Sequence, residues 1–135
     1  MAAIMLGSII VDVRAAYCLF TGCLPLHGPL HTYLGATLLA LPVIIGIHYL
    51  GNPLAKLTSR LRLRQDCSLA SITTGSIIGT WVHVLLDSFL YTEMSPLWTA
   101  GGNPFYGMPG SFSVYLLCIA CFIAGGFIYC YKIFR

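Results

Sequence analysis

Four long apolar runs, separated by short stretches rich in glycine, proline or basic residues, set the pattern of this chain. A helix of about 20 apolar residues spans the hydrocarbon core of a bilayer. The pattern predicts helices over residues 2–20, 30–50, 68–91 and 112–134. Gly22, Pro25, Gly28 and Pro29 break the chain between the first two runs. Pro42 falls inside the second run, a position membrane helices tolerate. Gly51-Asn52-Pro53 opens a basic segment that ends near Cys67. Residues 92–111 form a longer connection in which Trp98, Phe105 and Tyr106 suit a membrane interface. The runs are too long and too continuously apolar for barrel strands, so the expected fold is all-α. It is a polytopic transmembrane helical bundle of about four spans, forming one domain over 1–135.

Composition agrees. Hydrophobic residues make up 58% of the chain and charged residues 8%, against roughly 25% charged in a soluble domain. A water-facing surface cannot be built from so few charges. The first run has no basic leader and carries Asp12 and Arg14, so it reads as a retained helix rather than a signal peptide. Of the basic residues, Lys56, Arg60, Arg62 and Arg64 share one segment, Lys132 and Arg135 close the chain, and Arg14 stands apart. Such a cluster reads as a cytoplasmic loop and not as a nucleic-acid site. With that loop inside, a four-span count also brings Lys132 and Arg135 inside, and both termini are expected in the cytoplasm. Cys118, Cys121 and Cys130 lie in an apolar run and read as small hydrophobes rather than a redox pair. Cys18 and Cys23 flank a connection and are placed to pair if that side is oxidising.

The polar residues within the runs carry the candidate chemistry. Ionisable side chains inside a membrane cost roughly 2.5–3.5 kcal/mol on insertion scales and take partners. His83 and Asp87 are four apart and share a helix face. His27 and His31 are also four apart, although Pro29 confines His27 to the first turn or the connector and leaves His31 on the helix. The topology brings Asp12, His27, His31, His83 and Asp87 to similar depths in the outer half. Imidazole and carboxylate suit a divalent transition metal: zinc first, with iron or manganese as options. A dication would also neutralise two carboxylates that otherwise repel or take up protons. The alternative is a set of hydrogen-bonded helix contacts without a metal. His48 reads as interfacial, Arg14 as a partner for an acid or a snorkelling side chain. Glu93, in the outer connection, reads as a solvated carboxylate, with a base as the alternative, and Asn103 as a turn residue before Pro104.

Three stretches resemble a known family. They are Gly7-Ser8-Ile9-Ile10-Val11-Asp12, Leu26-His27-Gly28-Pro29-Leu30-His31-Thr32-Tyr33-Leu34-Gly35-Ala36, and Val82-His83-Val84-Leu85-Leu86-Asp87-Ser88. Asn103-Pro104-Phe105-Tyr106-Gly107 extends the likeness. Together they resemble the membrane-bound metal-dependent hydrolases, small polytopic proteins of prokaryotic inner membranes. The resemblance implies a polar site of Asp12, His27, His31, His83 and Asp87. Two departures stand out: Arg14 occupies a place where members often have an acid, and members often carry a further N-terminal helix with its own histidine. A site completed by another chain, or altered in use, is therefore also an expectation.

The leading expectation is a metal-dependent hydrolase that acts on a lipid or lipid-linked ester near the non-cytoplasmic surface. Asp12 and Asp87 would be ligand or general base, and a bound metal would bring the pKa of its water toward about 7. A His/Asp proton or ion pathway is an alternative, but it needs polar residues through the whole thickness, and the inner half offers little beyond Ser71, Thr73, Thr74 and His48. A non-catalytic subunit is a third reading. There Gly125 and Gly126 allow close approach to a partner membrane chain or a second copy.

Overall fold

A computed structural model describes residues 1–51, 59, 68–98 and 101–134, and among these the chain is helical without strands. The first run forms α1 (Ala2–Val11) and α2 (Val13–Thr21), together one apolar span of 20 residues. Asp12 lies between them with right-handed dihedrals, but its N–H bonds to the Ile9 carbonyl at 3.1 Å, three residues back. The helix therefore tightens for one residue where its acid projects. α2 ends at Gly22, whose φ of 73° is a conformation that a Cβ disfavours. A disulfide joins Cys18 to Cys23 across this end.

The second run starts later than its pattern predicts. Pro29 opens a 3-10 turn, Pro29–His31, and α3 covers Tyr33–Tyr49. The reason is local. Thr32 is extended, its Oγ1 accepts the Gly35 N–H at 2.9 Å, and that cap fixes the first helical turn beyond it. His31 thus belongs to the turn and not to the helix. α3 runs through Pro42, and its 17 residues reach about 25 Å, the lower limit for a span. α4 (Leu69–Leu90) is capped by Ser68, and α5 covers Ser111–Phe134. The span α1–α2 and the helices α4 and α5 are long and apolar enough to cross a membrane; α3 is a shorter apolar helix.

Small residues set the central contact. α1 and α4 run parallel, with Gly75 against Ala3 and Gly7 against Ser76. A Cβ on Gly7 would stand 2.7 Å from the Ser76 carbonyl oxygen, and one on Gly79 would overlap the Ile4 carbonyl oxygen. Gly75 and Gly79, four apart, let the two backbones touch, and in lipid such close packing supplies much of the association energy. α3 packs antiparallel against this pair. Val43 and Ile47 meet Ala3 and Ile72 near one end, while Val11, Ala36, Val84 and Met94 form a second cluster nearer the other. The Trp81 indole N–H donates to Thr37 Oγ1 at 2.9 Å and ties α4 to α3. Among the described residues α5 buries only Val114, and most of its other apolar side chains are exposed, as a lipid-facing helix requires.

The connections at one end are tied down. Asn103 Nδ2 donates to the carbonyls of Ser88 at 2.6 Å and Tyr91 at 2.8 Å, so this residue caps α4 rather than merely turning the chain. The Tyr33 N–H donates to the Pro96 carbonyl at 3.0 Å. At the opposite end α3 finishes and α4 begins. Lys56, Arg60, Arg62, Arg64 and Arg135 lie outside the described residues.

Candidate metal centre

Four side chains from three separate stretches converge near the tied end. Asp12 comes from the junction of α1 and α2, His31 from the 3-10 turn, and His83 and Asp87 from one face of α4. One ligand atom from each lies within 4.8 Å of all the others. His83 Nε2 is 3.2 Å from Asp12 Oδ1 and 3.1 Å from Asp87 Oδ2. His31 Nε2 is 3.5 Å from the same Asp12 oxygen and 3.8 Å from the same Asp87 oxygen. The four atoms make a closed ring in which nitrogen and oxygen alternate.

These spacings are informative. The four ring edges run from 3.1 to 3.8 Å, and all four atoms lie within 4.8 Å of one another, close enough to share one cation at ligand distances of about 2–2.4 Å. His83 Nε2 and both ring nitrogens of His31 are buried, and none makes a well-formed hydrogen bond, although carboxylate oxygens stand 3.1–3.8 Å from the two Nε2 atoms. A buried polar atom left unpaired costs about 1–3 kcal/mol. Two imidazole nitrogens and two carboxylate oxygens brought this close around one point suit a cation between them. Two imidazoles and two carboxylates are a donor set for zinc, iron or manganese. The residues present therefore fit a divalent metal.

The surroundings support that use. Ser8 Oγ lies 3.3 Å from His83 Nδ1, so it can accept that N–H and leave Nε2 as the lone-pair nitrogen facing the cluster. The His31 side chain is wholly buried, whereas that of Asp12 is 52% exposed. The cluster is closed on the His31 side and open beside Asp12.

His27, placed by sequence with this group, stands one step away from it. Its ring meets His31 edge-on at a centroid distance of 4.8 Å and stacks on Tyr91 at 4.1 Å. Its Nδ1 is 3.0 Å from Glu93 Oε1. Glu93 is 44% exposed but is not a merely solvated carboxylate. Arg14 pairs with neither Asp12 nor Glu93; its guanidinium donates to the carbonyls of Pro25 at 2.9 Å and Leu26 at 3.0 Å and so fastens the connector that carries both histidines. His48 is exposed at the far end of α3, beside Tyr49.

Sequence reasoning brought Asp12, His31, His83 and Asp87 together because spacing and depth were readable. It missed Ser8, whose place one turn before Asp12 was the available signal. It missed the role of Glu93 because a pair separated by 66 positions leaves no periodic trace. No family model, curated protein or solved structure matches the chain.

Proposed function

We propose that the protein is a metal-dependent hydrolase embedded in the membrane, acting on a lipid or lipid-linked ester near the non-cytoplasmic surface. The observation that carries this reading is the ring of Asp12, His31, His83 and Asp87, in which two buried imidazole nitrogens alternate with two carboxylate oxygens. Zinc is the favoured ion, with iron or manganese as the next choices. The likeness of the three histidine- and aspartate-bearing stretches to the membrane-bound metal-dependent hydrolases adds support. A bound dication would supply Lewis acidity and an activated water. His31 and His83 would hold it from the buried side. Asp87 would complete the charge balance, and Asp12 would ligate from the exposed side.

The reading is tested by metal analysis of protein purified in detergent. One divalent metal per chain is expected for the wild type and near-complete loss for His83→Ala. Ester hydrolysis by the metal-loaded wild type, abolished by Asp12→Asn, separates an enzyme from a structural metal site. Wild-type protein that holds no metal after incubation with zinc would sink the proposal.

A further inference from the structure

Beside the metal cluster lies a cavity of about 200 Å³, lined among others by His27, Thr32, Glu93, Ser95 and Trp98. No lysine or arginine lines it directly, although the Arg14 guanidinium packs against its Gly28 wall. Its histidine is 8% exposed and is fixed from three directions: by the Glu93 carboxylate, by the Tyr91 ring and by the edge of His31. Glu93 is itself held in place, since the next residue, Met94, is buried in the core at 1% exposure, and Pro96 is bonded to α3. A carboxylate that accepts Nδ1–H leaves Nε2 as the basic nitrogen of the ring, the arrangement that makes histidine a proton carrier. This is a different use from that of His31 and His83, whose Nε2 atoms face the carboxylates of the cluster.

We propose that His27, oriented by Glu93, is the proton-transfer residue of the site. Its substrate is a carboxylic ester whose alcohol part is an uncharged, hydroxyl-bearing head group seated in the cavity. The inference rests on the hydrolase reading and adds the residue and the substrate class. The volume fits a group the size of glycerol and not an acyl chain, which would stay in lipid. The Glu93 carboxylate in the lining disfavours a phosphate there, with Arg14 already bonded to the carbonyls of Pro25 and Leu26, whereas Trp98 offers an apolar face and Ser95 a hydroxyl. In the reaction, the oxygen of a water bonds to the ester carbonyl carbon while His27 Nε2 takes its proton. The bond from that carbon to the alcohol oxygen then breaks, and His27 returns the proton to that oxygen. The products are a carboxylic acid and a free alcohol, with no change in oxidation state. His27 touches the reacting atoms; Glu93 is a positioning residue.

The test uses the zinc-loaded protein in mixed micelles, with monooleoylglycerol as the probe and lysophosphatidic acid as the charged comparison. Zinc content is measured in parallel with oleate release. His27→Gln is expected to keep its zinc, with affinity within about 2-fold of wild type, and to lower kcat by about 100-fold or more. Glu93→Ala is expected to lower kcat similarly with KM little changed. Glu93→Gln, which still offers an oxygen to Nδ1–H, is expected to recover part of the loss. Loss of zinc in His27→Gln would make His27 a ligand and overturn the inference while sparing the metal site. Unchanged turnover in His27→Gln would overturn it while sparing the hydrolase. Preference for lysophosphatidic acid would overturn the substrate class. Zinc-loaded wild type inert toward both lipids would overturn this inference and the hydrolase reading together.

Discussion

At the scale of single residues, the site depends on side chains that hold its ligands from behind. Ser8 is the only described partner of His83 Nδ1. Removing a group that orients a ligand histidine costs about 10–100-fold in metal affinity. Ser8→Ala is therefore expected to bind zinc about 10-fold more weakly without losing the site, as measured by competition with a chelator; unchanged affinity would show that the 3.3 Å approach orients nothing. Arg14 acts on the connector. Its guanidinium also fills the space beside Gly28, where an added Cβ would collide with it. Arg14→Ala is expected to lower stability by about 1–2 kcal/mol through loss of two charge-assisted bonds. Gly28→Ala is expected to do the same by displacing the guanidinium, and thermal unfolding in detergent measures both. Neither role was legible in the sequence. A membrane arginine next to an acid invites an ion pair, whereas carbonyl partners come from a connector whose path is set only on folding.

At the scale of elements, what was legible followed the periodicity. His83 and Asp87 share a face because a helix fixes them there, and the depth of Asp12 followed from the same count. The start of α3 was misread because Pro29 permits a helix from residue 30, whereas the Thr32 cap and the close packing of Gly35 on Pro29 and Leu30 place a turn first. The glycines show the same limit. Gly125 and Gly126 have nothing within 4 Å of an added Cβ, and among the described residues α5 buries only Val114, near its first turn. Gly75 and Gly79 have the spacing that matters, and only the fold shows which helix they meet. Gly79→Val would drive α1 from α4 and separate Asp12 from His83. A destabilisation of about 1–3 kcal/mol is expected, with loss of bound zinc. Gly125→Val is expected to stay within about 0.5 kcal/mol of wild type and to keep its metal. Equal effects of the two substitutions on unfolding and metal content would contradict this packing.

At the scale of the whole molecule, polarity separates the two ends of the bundle. The metal cluster, the cavity, the Cys18–Cys23 bridge and the start of α5 lie at one end. The end of α3, the start of α4 and Lys132 in the last turn of α5 lie toward the other. Basic segments stay in the cytoplasm, and disulfides persist where the medium is oxidising. The two rules act on different residues and predict the same orientation, with the site end outside. The chain leaves α3 and enters α4 at the basic end, so Cys67, one residue before Ser68 in the sequence, reports on that side. Met108, 73% exposed in the connection before α5, reports on the other. With Cys118, Cys121 and Cys130 replaced by alanine, a membrane-impermeant maleimide applied to intact cells is expected to label Met108→Cys. Cys67 should react only after permeabilisation. Labelling of both positions from outside would break the alternation of spans, and labelling of Cys67 alone would invert it and place the site on the cytoplasmic face.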